Sequence, residues 1–234
     1  MTKLLPVEVA PDGAALAKAA VRHLIEAADA ALDERGRFTL AVSGGTTPRR
    51  FFQELTRRPL PWRSIHLFQV DERVVPAGHP DRNLTGLMEH LVERVPIPDA
   101  NVHPIPVEAS DLEAAAADYA ADLREVCGPE GILDLVHLGL GEDGHTASWP
   151  PGDPVVDVTE TDVAVVGPYD GYRRMTLTPA PVNRARGILW LVDGAGKAPA
   201  LARLLEGDPT IPASRVRREG AVVVAGADSV PPGT

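Results

Sequence analysis

Lysine is nearly missing from this chain: Lys3, Lys18 and Lys197 are the only ones in 234 residues. Cysteine is scarcer still, with Cys127 alone. A single thiol excludes an intramolecular disulfide and fits a reducing, cytoplasmic setting. Aromatic residues make up 4%, so any core must be built mainly from Leu, Val, Ile and Ala. No apolar run approaches the ~18 residues of a membrane span. The N-terminus lacks the apolar stretch of a secretion signal, because Pro6, Glu8 and Asp12 interrupt it. The seven histidines show no paired metal-ligand spacing, so no metal site is expected. Basic surplus is absent too: a formal charge of -10 argues against a nucleic-acid or membrane-surface partner. An acidic protein that binds an anion must gather its few cations locally.

What is present is a regular alternation of helix and strand patterns. Residues 12–35 read as an alanine-rich helix with Leu16, Ala20, Leu24, Ala27 and Ala31 on one face. Strand patterns cover 38–42, 65–70, 132–138, 163–166, 175–178, 188–192 and 222–225. Helical patterns cover 48–56, 83–94 with Asn83 as its cap, 111–126 and 198–206. Strands alternating with helices predict an α/β fold with a mostly parallel sheet covered on both faces. No internal repeat or long linker divides the chain. One domain over 1–229 with a loose, proline-rich tail over 230–234 is expected.

The most informative stretch is Gly139-Leu140-Gly141-Glu142-Asp143-Gly144-His145-Thr146-Ala147-Ser148. It follows the apolar run 132–138, so a buried strand empties into a glycine-rich loop carrying Asp143 and His145. In open α/β sheets ligands bind at the carboxyl ends of strands, and histidine is the side chain suited to proton transfer near neutrality. Gly139, Gly141 and Gly144 also satisfy the dinucleotide pattern G-x-G-x-x-G. That pattern requires a helix after the third glycine, and Pro150, Pro151 and Pro154 deny it.

Three more loops sit at predicted strand ends. Ser43-Gly44-Gly45-Thr46-Thr47-Pro48 reads either as an anion cradle at a helix N-terminus or as an ordinary capped turn. It lacks the Gly-Lys pair of a phosphate loop, and no G-x-S-x-G surrounds Ser43 to make it a nucleophile. Asp71-Glu72-Arg73-Val74-Val75 offers acids for a sugar hydroxyl or water and an arginine for phosphate. It could equally be a capped turn with a solvated ion pair. Arg82 stands just before the helix at Asn83. In Asp193-Gly194-Ala195-Gly196-Lys197, the lysine opens a helix, where a bare cation is mildly unfavourable and an anionic partner would relieve it. Arg173 and Arg174 precede a strand, and only one of them is expected to face the site.

Together these segments, with Thr176-Leu177-Thr178-Pro179, resemble the 6-phosphogluconolactonase family, within the glucosamine-6-phosphate isomerase-like superfamily. The resemblance implies a three-layer α/β/α fold and hydrolysis of 6-phospho-D-glucono-1,5-lactone to 6-phosphogluconate, the second step of the oxidative pentose phosphate pathway, with no cofactor. It makes His145 the general base that activates water and Asp71 an orienting acid. It assigns the cradle Ser43, Gly44, Gly45 and Thr46, with Arg73 and Lys197, to phosphate; the loops themselves add Arg82, Gly141, Asp143, Gly144 and Arg173 as candidate substrate contacts. The expected partner is a small phosphosugar lactone, with the chain a monomer or small homo-oligomer. Two departures stand out: Trp149-Pro150-Pro151-Gly152 replaces the family's frequent Leu-Phe-Pro-Gly, and Arg82 occupies a position where serine is frequent. An amino-sugar phosphate isomerase would share the fold, but its histidine loop usually continues into Ala-Phe-Asn-Glu-Pro, which this chain lacks. A sugar-phosphate sensor would need a basic DNA-binding segment that is also missing.

Overall fold

The computed structural model describes residues 4–231. The chain opens with β1 (Val7–Ala10) and α1 (Gly13–Arg35). Asp12 caps α1 by accepting from the N–H groups of Ala14 and Ala15 at 2.9 and 2.8 Å. Gly36 ends it in the left-handed conformation (φ 70°), returning its N–H to the Leu32 carbonyl. Then come β2 (Phe38–Val42), α2 (Thr46–Leu55), β3 (Ile65–Gln69) and β4 (Asp71–Arg73). These are followed by α3 (Asn83–His90), β5 (Val102–His103), α4 (Leu112–Cys127) and β6 (Leu135–Gly139). The C-terminal part holds β7 (Val163–Tyr169), β8 (Tyr172–Leu177), α5 (Pro179–Arg184), β9 (Gly187–Val192), α6 (Ala198–Glu206) and β10 (Ala221–Gly226).

Seven strands form one parallel sheet in the order β1-β10-β9-β6-β2-β3-β5. Alternate residues of its central strands enter two different cores, as the period of a strand requires. Phe38, Leu40 and Val42 of β2 and Leu189 and Leu191 of β9 pack with α1, α2 and α3. Ala41, Ile188, Trp190 and Val192 point the other way, toward α4, α5 and α6. The three-layer α/β/α architecture therefore stands as expected. A second sheet was not expected: β4, β8 and β7 form a three-stranded antiparallel sheet, and Val163, Val166, Met175 and Leu177 join the second core.

Several boundaries differ from the sequence reading for identifiable reasons. The helix over 83–94 breaks at Leu91 and finishes as a short 3-10 turn, Val92–Arg94. Its N-cap is Arg82 rather than Asn83, and a distant carboxylate supplies the capping bonds: Glu72 accepts from the N–H groups of Asn83 and Leu84 at 2.7 and 2.8 Å. The pattern over 132–138 begins as a strand only at Leu135. Segment 71–75, read as a loop, contains β4, whose partner in β8 lies about a hundred residues away. Val230 packs against the core instead of lying loose, while tail residues 232–234 lie outside the described residues.

Asp134 locks the entry to β6 against β2. Its carboxylate accepts from the N–H and hydroxyl of Thr39 at 2.8 and 2.9 Å and from Arg35 at 2.8 Å, with Arg186 at 3.3 Å. Removing one member of such a buried network strands the others. Asp134→Ala is therefore expected to lower stability by about 2–4 kcal/mol in urea unfolding, without altering substrate affinity of the folded protein. A loss under about 0.5 kcal/mol, the size of an ordinary surface change, would show that water replaces the network.

Candidate active site

The sheet reverses its winding between β6 and β2. From β2 the chain moves outward through β3 to β5; from β6 it moves the other way through β9 to β10. The loops leaving β2 and β6 must part there, and the crevice between them is where an open α/β sheet accepts a ligand. A cleft of about 210 Å³ lies at this point, among Ser43, Gly44, Gly45, Thr47, Pro48, Asp71, Arg73, Asn83, Gly139, Leu140, Gly141, His145, Ala147, Arg174, Leu191, Asp193 and Lys197. All four loops singled out in the sequence reach it.

The cradle after β2 is shaped by its glycines. Gly45 (φ 114°) is the N-cap of α2, a conformation costly for residues with a Cβ. A Cβ on Gly44 would meet the Asn83 side chain at 2.1 Å. The first N–H groups of α2 have no partners within the helix and open toward an anion. Ser43 is committed to the scaffold: its hydroxyl donates to the His137 carbonyl at 3.1 Å, and its N–H reaches the same oxygen at 3.2 Å. Beneath it, burial pushes the His137 imidazole down to about 3, so it stays neutral. Thr47 faces the cleft; the Thr46 side chain lies outside the described residues.

Asp71 and Arg73 come from β4 and face the cleft, while Glu72 between them points inward and is completely buried. Burial pushes the Glu72 carboxyl up, against the hydrogen bonds of Gln69, Leu84, Asn83 and Arg73 that favour its charge. Those bonds tie β4 to the start of α3 and so place Asn83, whose side-chain amide donates to the Asp71 carbonyl at 2.9 Å. The Asp71 carboxylate accepts from the buried Ser148 hydroxyl at 2.7 Å. Arg73 and Arg174 are directly opposed across β4 and β8. Two like charges facing each other on one sheet face repel. Burial, then the charge of Arg73, lowers the Arg174 pKa. Lys197 opens α6, with no carboxylate within 4.0 Å among the described residues. These three cations share the cleft.

The histidine loop forms no long helix after Gly144, so the dinucleotide pattern has no structural counterpart. Thr146 donates to the Gly139 carbonyl at 2.8 Å, and Gly141 N–H to the His145 carbonyl at 2.8 Å, closing the loop. Ala147 adopts φ 50° at the cleft wall, an uncommon conformation for a residue with a Cβ. His145 Nδ1 lies 2.6 Å from Asp143 Oδ1. Burial resists charge on Asp143, but the backbone N–H and ring of His145 and the Tyr169 hydroxyl outweigh it and hold its pKa below the ordinary value. An ionised carboxylate only accepts hydrogen bonds, so Nδ1 carries the proton and Nε2 keeps a lone pair for a reactant.

Five of the expected contacts fall elsewhere or outside the described residues. Arg82 is buried against Glu108 at 2.8 Å and lies 3.9 Å from Glu72, so its charge is neutralised away from the cleft. Arg173 is exposed, because strand alternation turns Arg174 inward in its place. Asp143 serves His145 rather than an anion that its own charge would repel. Gly144 is turned toward Ile211, which a Cβ would meet at 2.6 Å. The fifth is the Thr46 side chain. Sequence reasoning missed Asn83, Asp193 and Tyr169 as neighbours of the site. Tyr169 had one usable signal: the Asp170-Gly171 pair that turns the β7–β8 hairpin beside it.

Among the described residues, no group of three or more His, Cys, Asp or Glu side chains is arranged to hold a metal ion, and no helix is long and apolar enough to cross a membrane.

Comparison with known proteins points to one family. Residues 11–224 match the model described as glucosamine-6-phosphate isomerases/6-phosphogluconolactonase. A 6-phosphogluconolactonase of Synechocystis is 40% identical over 200 residues, 82% of this chain and 83% of that protein. One from Mycobacterium bovis is 35% identical over 221 residues, 89% of this chain and 90% of that protein. The crystal structure of the Thermotoga maritima 6-phosphogluconolactonase superposes with a TM-score of 0.83 at 29% identity, covering 94% and 98% of the two chains. A monomeric glucosamine-6-phosphate deaminase shares the fold at a TM-score of 0.83 but 19% identity, covering 96% and 98%.

Gly141 generates a test of the geometry. A Cβ there would meet His145 Nδ1 at 2.1 Å and Asp143 Oδ1 at 2.6 Å. Gly141→Ala must displace the pair while leaving the core untouched. Turnover that depends on the imidazole should fall by about 100-fold, the cost of roughly 1 Å of misplacement, with the melting temperature nearly unchanged. Wild-type turnover in this variant would detach the imidazole from the chemistry.

Proposed function

Since the chain belongs to the glucosamine-6-phosphate isomerases/6-phosphogluconolactonase family and is an enzyme of its lactonase branch, we propose that it hydrolyses 6-phospho-D-glucono-1,5-lactone to 6-phosphogluconate with His145 as general base. The observation that carries this reading is the pairing, in one small cleft, of a histidine oriented through Nδ1 with Arg73, Lys197 and Arg174, of which only Arg174 has an ion-pair partner among the described residues, the exposed Asp170 at 3.6 Å. Nε2 removes a proton from water as the water oxygen bonds to the lactone carbonyl carbon. The resulting oxyanion collapses, the ring C–O bond breaks, and the imidazolium returns its proton to the departing ring oxygen. The product acid then ionises. A lactone is an activated ester, so one base and one electrophilic contact suffice.

The phosphate reading rests on the opposed arginines. Arg73 and Arg174 repel each other across the cleft, and a dianionic group between them turns that repulsion into two charge-assisted bonds. Lys197 and the first N–H groups of α2 extend the same positive field. Asp71, fixed by Ser148, is placed to accept from a sugar hydroxyl. Ser43 has a narrower part than a phosphate donor, because its hydroxyl already holds the β2 and β6 loops together.

The deciding experiment is hydrolysis above the spontaneous rate, with phosphorylated and unphosphorylated gluconolactone side by side. Preference for the phosphorylated lactone supports the assignment; ammonia release from an amino-sugar phosphate would move the chain to the isomerase branch. His145→Asn should lower kcat by about 10²–10⁴-fold while 6-phosphogluconate binding changes little. A fully active, folded His145→Asn enzyme would falsify the base assignment.

The cations separate by substrate. Arg73→Ala or Lys197→Ala should weaken the phosphorylated lactone by about 10–150-fold, the value of a charge-assisted bond of roughly 1.5–3 kcal/mol, with little effect on the unphosphorylated one. Equal loss on both lactones would place that residue at the reacting carbonyl instead.

A further inference from the structure

Tyr169 stands outside the histidine loop, 24 residues further along the chain, yet touches both halves of the site. Its hydroxyl donates to Asp143 Oδ2 at 2.8 Å and lies 2.9 Å from His145 Nδ1. The two rings meet edge to face, with centroids 5.4 Å apart at 76°. On the other side, the Arg174 guanidinium sits over the Tyr169 ring, 4.8 Å from its centroid, and Arg174 Nε donates to the Tyr169 carbonyl at 3.2 Å.

We propose that Tyr169 is the positioning residue of this site: its hydroxyl fixes the Asp143–His145 pair, and its ring holds the Arg174 guanidinium in the cleft, where the exposed Asp170 at 3.6 Å is its one ion-pair partner among the described residues. The inference rests on the reading of His145 as the base.

Asp143 is 40% exposed, so water competes for its carboxylate. Oδ1 already receives the His145 ring and the His145 backbone N–H, at 2.6 and 3.1 Å. Among the described residues Tyr169 is the one side chain that donates to Oδ2. Without it, Oδ2 turns to water, the carboxylate is held through Oδ1 alone, and its grip on the Nδ1 proton of His145 loosens. Burial, then the hydrogen bond and charge of Asp143, raise the Tyr169 pKa, which keeps the hydroxyl a donor.

The ring performs a different task. A buried arginine is usually held by a carboxylate, which cancels the charge a ligand would use. Arg174 has only Asp170, at 3.6 Å. An aromatic face attracts a guanidinium without neutralising it, so the charge stays available to an anion. One side chain thus sets the spacing between the base and the anion site.

Two variants divide these tasks. Tyr169→Phe keeps the ring and deletes the hydroxyl: kcat should fall about 10-fold, with KM for the phosphorylated lactone within about 2-fold of wild type. Tyr169→Leu deletes both: kcat should fall similarly and KM should also rise about 5- to 30-fold. A readout independent of turnover is the imidazole 15N spectrum of the full-length protein. Wild type should show His145 as the single Nδ1–H tautomer, and Tyr169→Phe a mixture.

Wild-type kcat together with a single tautomer in Tyr169→Phe would overturn the proposal. So would equal KM increases in the two variants, which would reduce the tyrosine to packing. His145→Asn run in parallel keeps the readings apart. If it remains active, the base assignment fails while the tautomer result still judges Tyr169. Should Tyr169→Leu not fold, Tyr169→Phe decides alone.

Discussion

Everything in the site follows from the pairing of β2 with β6 at the centre of the parallel sheet. The two strands lie side by side and point the same way, but their chains wind outward in opposite directions. No connection covers the gap above their carboxyl ends, so two glycine-rich loops line it. The pairing is secured from both ends. Asp134 ties Thr39 at the entry, and the Ser43 hydroxyl and N–H tie the His137 carbonyl at the exit. With that distance fixed, the cradle of β2 and the imidazole beyond β6 keep their separation without any link through a ligand.

The second constraint is electrostatic. A chain with net charge -10 gains an anion site only where cations escape its surplus of carboxylates. Arg82 does not escape: it is buried in contact with Glu108. Arg73, Arg174 and Lys197 do, through three different devices. Arg73 donates to the Asp81 carbonyl at 2.6 Å, Arg174 rests on an aromatic face, and Lys197 stands at a helix start. None of these contacts cancels charge, and the one carboxylate that reaches them among the described residues, Asp170 at 3.6 Å from Arg174, is exposed to water, so the opposed arginines stay reactive toward an anion.

Glu72 shows how a buried acid can serve a site it does not face. It accepts from Gln69, Arg73, Asn83 and Leu84 and so welds β4 to α3. Its neighbours Asp71 and Arg73 gain fixed directions as a result, since alternation along β4 turns them to the opposite face. In the sequence, Asp71 and Arg73 are marked for the site by the family resemblance, and Glu72 is given no part of its own. The anchor role of Glu72 comes from the pairing of β4 with β8, which turns it inward between the two.

The sequence by itself determined the elements whose signals are local. The helices beginning near Asp12 and Asp111, the apolar runs of β2 and β9, and the bounds of α6 are written in neighbouring residues. So is the placing of His145 and Gly44 on loops after strands. Helical and strand periodicity need only a few consecutive side chains, and a glycine loop after an apolar run needs no partner to be recognised. Tertiary structure decided what depends on distant contacts. It turned Arg174 inward instead of Arg173, drew Arg82 away to Glu108, turned Asp143 from a ligand contact into the partner of His145, and brought in Tyr169. Each of these choices follows from register across an antiparallel pair or from the identity of a neighbour far along the chain. Charge and hydrogen bonding act through space, and only the folded backbone sets those distances.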